Sequence, residues 1–199
     1  MTGANRYYLQ TSLRFFNLPG MISKDKKSLS TTKEKVFLHH EAAQFSIGGP
    51  VQFSPGIYMR LTDKSLKQIH KTDWQFDWRK ETKDKAKEVY KLTTVNNPTI
   101  IQGLLSIEDK QDHVFMHLVE SSKFNKGKNK VYLGVPGNLV AFACKISFEK
   151  GYQGFLAFDA KTDLIKHYEE MLYATHFRGL RMFIETNSAQ RLISQYFKS

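Results

Sequence analysis

V-Y-L-G-V-P-G-N-L-V-A-F-A-C-K-I-S-F-E-K-G, from Val131 to Gly151, opens on the glycine-bearing turn Gly134-Val135-Pro136-Gly137 and runs on as an apolar segment to Gly151. At helical spacing Leu139, Phe142, Ala143 and Ile146 make one stripe and Val140, Cys144 and Phe148 another; a helix apolar on most sides is buried. Immediately upstream, Lys123 to Lys130 carries four lysines and no acid. Immediately downstream, Gly154-Phe155-Leu156-Ala157-Phe158 reads as a buried strand. Strand, glycine turn and helix N-terminus together form a place to hold a phosphate, because unpaired backbone N–H groups converge there. Pro136 suits a first helical turn, where its missing N–H was unpaired in any case. It also removes one donor, leaving the N–H groups of Gly134, Val135, Gly137 and Asn138. A P-loop would need a lysine and a hydroxyl after the last glycine, where this chain has Asn138-Leu139.

Upstream of the turn the pattern is regular. Val89 to Thr94 is a strand ended by Asn96-Asn97-Pro98, Thr99 to Ile107 is a second, and His113 to Glu120, after the polar turn Glu108 to Asp112, is a third. Short connections predict an antiparallel meander, and the return through the buried helix to Gly154–Ala160 predicts a right-handed parallel crossover. A dinucleotide-binding fold would begin instead with repeated parallel crossovers. Before the meander, Ile57 to Leu61 reads as a strand, and Thr62 or Asp63 caps a short helix with Leu66 and Ile69 on one face. Trp74, Phe76 and Trp78 alternate, so an extended segment would put three aromatics on one side, to cover the core or line a cleft. Downstream, Thr162 caps a helix from Asp163 to Leu172 that turns Leu164, Ile165, Tyr168, Met171 and Leu172 inward. Strands Tyr173–Phe177 and Leu180–Glu185 follow around Arg178-Gly179, and a last helix from Asn187 buries Ala189, Leu192, Ile193, Tyr196 and Phe197.

The first 50 residues read as an N-terminal extension. It holds a turn at Phe15–Gly20, a lysine-rich loop at Ser23–Lys35, and a strand or short helix at Phe37–His40 and Ala42–Ile47. Glycine and proline at Gly48-Gly49-Pro50 and Pro55-Gly56 mark a boundary, so residues 51–199 form the main domain. With 199 residues, 41% hydrophobic and 13% aromatic, the chain has material for one real core. Its one cysteine, Cys144, excludes an intramolecular disulfide and fits a reducing compartment. No signal-peptide h-region and no membrane-length run is present, so a cytoplasmic protein without a membrane partner is expected. The net charge of +11 suits an anionic or nucleic-acid partner, or a basic surface kept for solubility. His113 and His117 share a strand face but lack cysteine or carboxylate partners at ligand spacing, so packing or a cleft role is expected and no metal. Cys144 reads as core.

The order of elements over Ile57–Phe183 resembles the GNAT superfamily of acetyl-coenzyme A-dependent acyltransferases. The resemblance is densest from Val131 to Thr175. The family's turn is an Arg or Gln, two residues, Gly, one residue, then Gly or Ala; here these positions fall on Val131, Gly134 and Pro136. The helix carrying Tyr168 looks like the family's tyrosine helix. The resemblance implies an α+β fold, a mixed and mainly antiparallel central sheet flanked by helices, with a splayed strand pair forming the acetyl-CoA cleft. It implies acetyl-CoA as cosubstrate, held by Val131, Gly134, Val135, Pro136, Gly137, Asn138 and Leu139. Its pantetheine arm would pair with Met116–Glu120, where an N–H of Leu118 or Val119 meets the charge developing on the carbonyl oxygen. Tyr168 is expected to protonate the departing sulfur, the other reading being a tyrosine packed on the apolar face of its helix. Glu120 is expected as the base toward an amine acceptor, directly or through a water, with Asp159 and Glu185 as further candidates. The acceptor is a small molecule or a protein, or a nucleic-acid-linked amine such as that of aminoacyl-tRNA; the remaining alternative is a non-catalytic basic nucleic-acid-binding module. The oligomeric state is left open by the sequence.

Overall fold

The structure, a computed structural model, describes residues 36–38, 51–52, 56–62, 65–95 and 97–197, all within the unit Val36–Ser199. The readings of Phe15–Gly20, Ser23–Lys35, His39-His40, Ala42–Ile47, Gly48-Gly49-Pro50, Asp63 and Asn96 lie outside the described residues. In chain order the strands are β1 (Val36–Leu38), β2 (Val51–Gln52), β3 (Ile57–Arg60), β4 (Lys87–Thr94), β5 (Asn97–Asp109), β6 (Val114–Ser121), β7 (Tyr132–Leu133), β8 (Leu156–Asp159), β9 (Thr175–Arg178) and β10 (Arg181–Ile184). The α-helices are α1 (Trp78–Lys83), α2 (Val135–Glu149), α3 (Ile165–Leu172) and α4 (Thr186–Tyr196), with 3₁₀ turns at Ser65–Gln68, Lys71–Asp73, Lys123–Asn125 and Thr162–Leu164. Among the described residues no helix is long and apolar enough to cross a membrane.

One eight-stranded sheet runs β1-β3-β4-β5-β6-β8-β10-β9, and β2 and β7 form a separate parallel pair. Every neighbour in the large sheet is antiparallel except β6 and β8, which the α2 crossover joins in parallel. The meander, the crossover and the closing hairpin follow the order legible in the sequence. Each face of the sheet has its own core. On one face α2 buries Leu139, Phe142, Ala143 and Ile146 with Val114, Met116, Leu156 and Phe158, and α4 adds Ala189 and Leu192. Tyr58 stacks on Phe142 with 4.0 Å between ring centroids. On the other face Ile69 and Trp78 cover Val89, Ile101 and Leu104.

Two local expectations change in the folded chain. Trp74, Phe76 and Trp78 do not lie along one extended run, because Asp77 caps α1 by accepting from Lys80 N–H, and Trp78 opens the helix. Its indole is buried, with Trp74 edge-on to it at 6.4 Å. On α3, Met171 points outward, 53% exposed, because a helix of two turns turns only the Ile165, Tyr168 and Leu172 line to the core.

Candidate active site

The parallel pair β6–β8 is short. Val114, Phe115 and Met116 pair with Leu156, Ala157 and Phe158, and among the described residues β8 makes no further pair with β6, which continues through Ser121. The cause lies in the β5–β6 register. Ser106 pairs with Leu118 but Ile107 with Met116, so His117 is an extra residue on β6. Such a bulge raises the local twist and turns the strand away from its neighbour. Beyond it, Ser122 N–H donates to the Gln102 carbonyl at 2.9 Å. By antiparallel alternation, Glu120 and Leu118 then turn their backbone groups to β5, while Val119 and Ser121 turn theirs to the open side.

The opening is a cleft of about 680 Å³. Met116 to Ser121 form one wall; Phe158, Asp159 and Tyr168 lie on the other; Pro136 sits at its mouth. Ser121 Oγ is buried without a hydrogen-bond partner among the described residues. An orphaned hydroxyl beside an unpaired strand edge fits an extended ligand carrying amides.

At the mouth the glycine turn is built as a helix entry. Gly134 takes φ 75°, ψ 11° as the residue before α2, a left-handed conformation that glycine enters without strain. Asn138 N–H closes the first turn onto the Gly134 carbonyl at 2.9 Å, and Val131 N–H donates to Phe124 at 3.0 Å. Those two N–H groups are therefore occupied, and Val135 and Gly137 carry the helix N–H groups without an intrahelical partner. Leu139 and the Asn138 side chain are fully buried. Pro136 is exposed, whereas Gly137 is buried, and a Cβ there would run into the Tyr196 hydroxyl of α4. The glycine keeps α4 against the start of α2.

Glu120 lies in the cleft wall, 4% exposed, and its carboxylate is surrounded by donors. Oε1 accepts from Gln75 N–H at 2.8 Å and Lys126 Nζ at 2.7 Å; Oε2 accepts from Trp78 Nε1 at 2.9 Å and Phe76 N–H at 3.3 Å. Burial pushes this carboxyl up, but the bonds from Lys126, Gln75, Trp78 and Phe76 together hold it below the usual glutamate range. Taking a proton from an amine would require one of these donors to leave first. Tyr168 stands across the cleft on α3, edge-on to Phe158 at 5.4 Å. Burial raises its hydroxyl above the ordinary tyrosine value, so it stays protonated at neutral pH. Asp159 is held by Arg181 through two bonds, of 2.6 and 3.3 Å.

Of the lysine run, Lys126 and Lys130 line the cleft, and Lys123 pairs with Asp73 at 2.7 Å. Among the described residues no group of three His, Cys, Asp or Glu side chains is placed to hold a metal. Sequence reading missed the partners of Glu120, since Gln75, Phe76 and Trp78 are more than forty residues away along the chain. It also missed Lys161, whose ammonium lies 5.4 Å from the Phe76 ring at the cleft rim. Only the aromatic cluster hinted at that wall.

No protein-family profile and no curated protein sequence matches the chain. Solved structures do. A tyrosine-to-phenylalanine mutant of the AtaT toxin bound to the C-terminus of the antitoxin AtaR is 15% identical, matching 69% of this chain and 98% of that one at a TM-score of 0.50. AtaTR bound with AcCoA is 17% identical over 57% of this chain and 76% of that one, with a TM-score of 0.44. A spermidine N-acetyltransferase SpeG chimera from Vibrio cholerae and hSSAT is 14% identical over 67% of this chain and 96% of that one, with a TM-score of 0.44. The first of these, at a TM-score of 0.50, speaks for architecture alone, and with the meander, the α2 crossover and the splayed β6–β8 pair this chain has the GNAT fold.

Proposed function

We propose that the protein is an acetyl-CoA-dependent N-acetyltransferase that moves an acetyl group to a primary amine. The observation that carries the reading is the splay of β6 from β8, with the start of α2 at one end of the opening and Tyr168 across it. Acetyl-CoA, when bound, supplies an acyl group already activated as a thioester. The N–H groups of Gly134, Val135 and Gly137 are suited to the pyrophosphate, and Lys130, which lines the same cleft, adds positive charge. The open edge at Val119 and Ser121 suits the amides of the pantetheine arm. The Val119 N–H donates to the carbonyl oxygen as charge gathers there, an effect typically worth about 3 kcal/mol. Tyr168 gives its hydroxyl proton to the leaving sulfur. Glu120, saturated with donors, fixes the acceptor-side wall by tying Gln75–Trp78 and Lys126 to the end of β6.

Calorimetric titration of the protein with acetyl-CoA, followed by mass analysis of amines incubated with both, tests this. Expected are one bound acetyl-CoA per chain and products heavier by one acetyl group; absence of binding sinks the reading.

A second reading keeps the chemistry and places the amine on a nucleic acid, such as aminoacyl-tRNA. It is favoured by the net charge of +11 and by Lys126 and Lys130 at the cleft. Transfer that neither competes with tRNA nor weakens with salt would exclude it. Nucleic acid bound without any coenzyme A would point instead to a basic binding module.

A further inference from the structure

One polar side chain on the β6 wall has no part in the chemistry above. His117 is the extra residue of the bulge at which β6 leaves β8, and it lines the cleft two residues before Val119. Its side chain is 24% exposed and stands edge-on to Phe115, with 4.8 Å between centroids. Nε2 lies 2.8 Å from Glu108 Oε2, and the other oxygen of Glu108 takes Lys110 Nζ at 2.7 Å. Lys110, and His117 after it, hold the Glu108 carboxyl below the usual range, so it is ionised and accepts only. Nε2 must then carry the hydrogen, and in the neutral ring Nδ1 keeps its lone pair.

Charged and titratable groups also sit on the neighbouring elements. Lys87 on β4, opposite Glu108 in register, is bound to Glu81 of α1. Asp159 of β8 is held by Arg181 of β10, which lies over Phe115. His167 and Tyr168 come from α3. Each carboxylate in this set has a cation of its own, and Glu120 has four donors. Two imidazoles line the cleft, His117 on β6 and His167 on α3; His117 is the one at the splay point, and its second nitrogen is not engaged among the described residues.

We infer that His117, oriented by Glu108, accepts the proton of the attacking amine; this rests on the acetyltransferase reading. The amine lone pair forms the N–C bond at the thioester carbonyl, and Nδ1 takes the N–H proton. The C–S bond breaks, and the sulfur takes the Tyr168 proton. His117 then returns its proton to the Tyr168 phenolate through solvent, so the protein ends as it began. Glu108 is the positioning residue, since it holds the tautomer and faces the charge the ring acquires.

Two measurements on the full chain test this. Nitrogen NMR of the imidazoles, with His117→Gln for assignment, should find the Nε2–H tautomer at His117. Glu108→Ala should admit the Nδ1–H tautomer as well, because no carboxylate then accepts from Nε2. The Nδ1–H tautomer in the wild type, or an unchanged tautomer in Glu108→Ala, overturns the inference without any assay. Release of coenzyme A thiol is then followed with ethylamine and with the far less basic methoxyamine as acceptors. His117→Gln should lower kcat with ethylamine by about 100-fold, and with methoxyamine by much less, at unchanged acetyl-CoA Kd. Equal losses, no loss, or a wild type that binds acetyl-CoA and uses neither amine all overturn it. A wild type that does not bind acetyl-CoA defeats the acetyltransferase reading itself, while the tautomer measurement still stands on its own.

Discussion

Tyr168 and Glu120 face the same cleft but are held in opposite ways, and their substitutions should separate chemistry from stability. Tyr168 packs its ring against Phe158 and carries a hydroxyl that burial keeps protonated. Tyr168→Phe keeps the packing and removes the proton, so kcat should fall about 100-fold with acetyl-CoA affinity nearly unchanged. Steady-state kinetics beside calorimetry decide it; an unaltered kcat removes Tyr168 as the acid. Glu120→Ala strips the acceptor from two backbone N–H groups and the buried Trp78 indole. Leaving such donors unmet is expected to cost about 3 kcal/mol, read by urea denaturation. A loss within a few tenths of a kcal/mol would show that the carboxylate does not tie this wall together.

At the scale of elements, the cleft depends on how close α2 comes to the sheet. A Cβ on Gly103 of β5 would stand 2.8 Å from Leu139 Cδ1, and 3.0 Å from both Val135 Cγ1 and the Glu120 carbonyl oxygen. The first turn of α2 is thus seated on the strand next to the cleft by a missing side chain. Gly103→Ala should lift that turn, destabilise the fold by about 1–3 kcal/mol and weaken acetyl-CoA binding. Thermal unfolding with and without acetyl-CoA checks both effects, and an unchanged Tm with unchanged affinity would contradict this account. Pro136, two positions into α2, does not disturb the helix, because a first-turn N–H has no intrahelical acceptor to lose.

Across the whole molecule, carboxylates fasten elements that are distant in sequence, and their protonation should govern acid stability. Asp109 at the end of β5 accepts from Lys150 at 2.9 Å and Tyr152 at 2.8 Å, closing the far end of α2 onto the meander. The Lys150 bond first, then Gln111 N–H and Tyr152, offset a smaller burial effect and hold Asp109 at about 2. Glu120 and Glu108 are likewise held below the ordinary range. A carboxyl depressed in the folded state stabilises it above its unfolded pKa, and that contribution fades as pH falls through the folded value. Tm should therefore drop on acidification below the ordinary carboxylate range and go on dropping toward about pH 2, where Asp109 takes its proton. Asp109→Asn should flatten the lowest part of that decline; a superimposable curve would refute the fastening role. The chain by itself determined the order of the meander, the crossover and the closing hairpin, the buried α2 and the glycine turn, because hydrophobic period, glycine and proline act over a few neighbouring residues. Tertiary structure alone decided which groups meet in the cleft. One extra residue in a register splays β6 and aims the Val119 and Ser121 backbone into the opening. The donors that saturate Glu120, and the carboxylate behind His117, come from segments brought together by sheet pairing and packing, which no local pattern encodes.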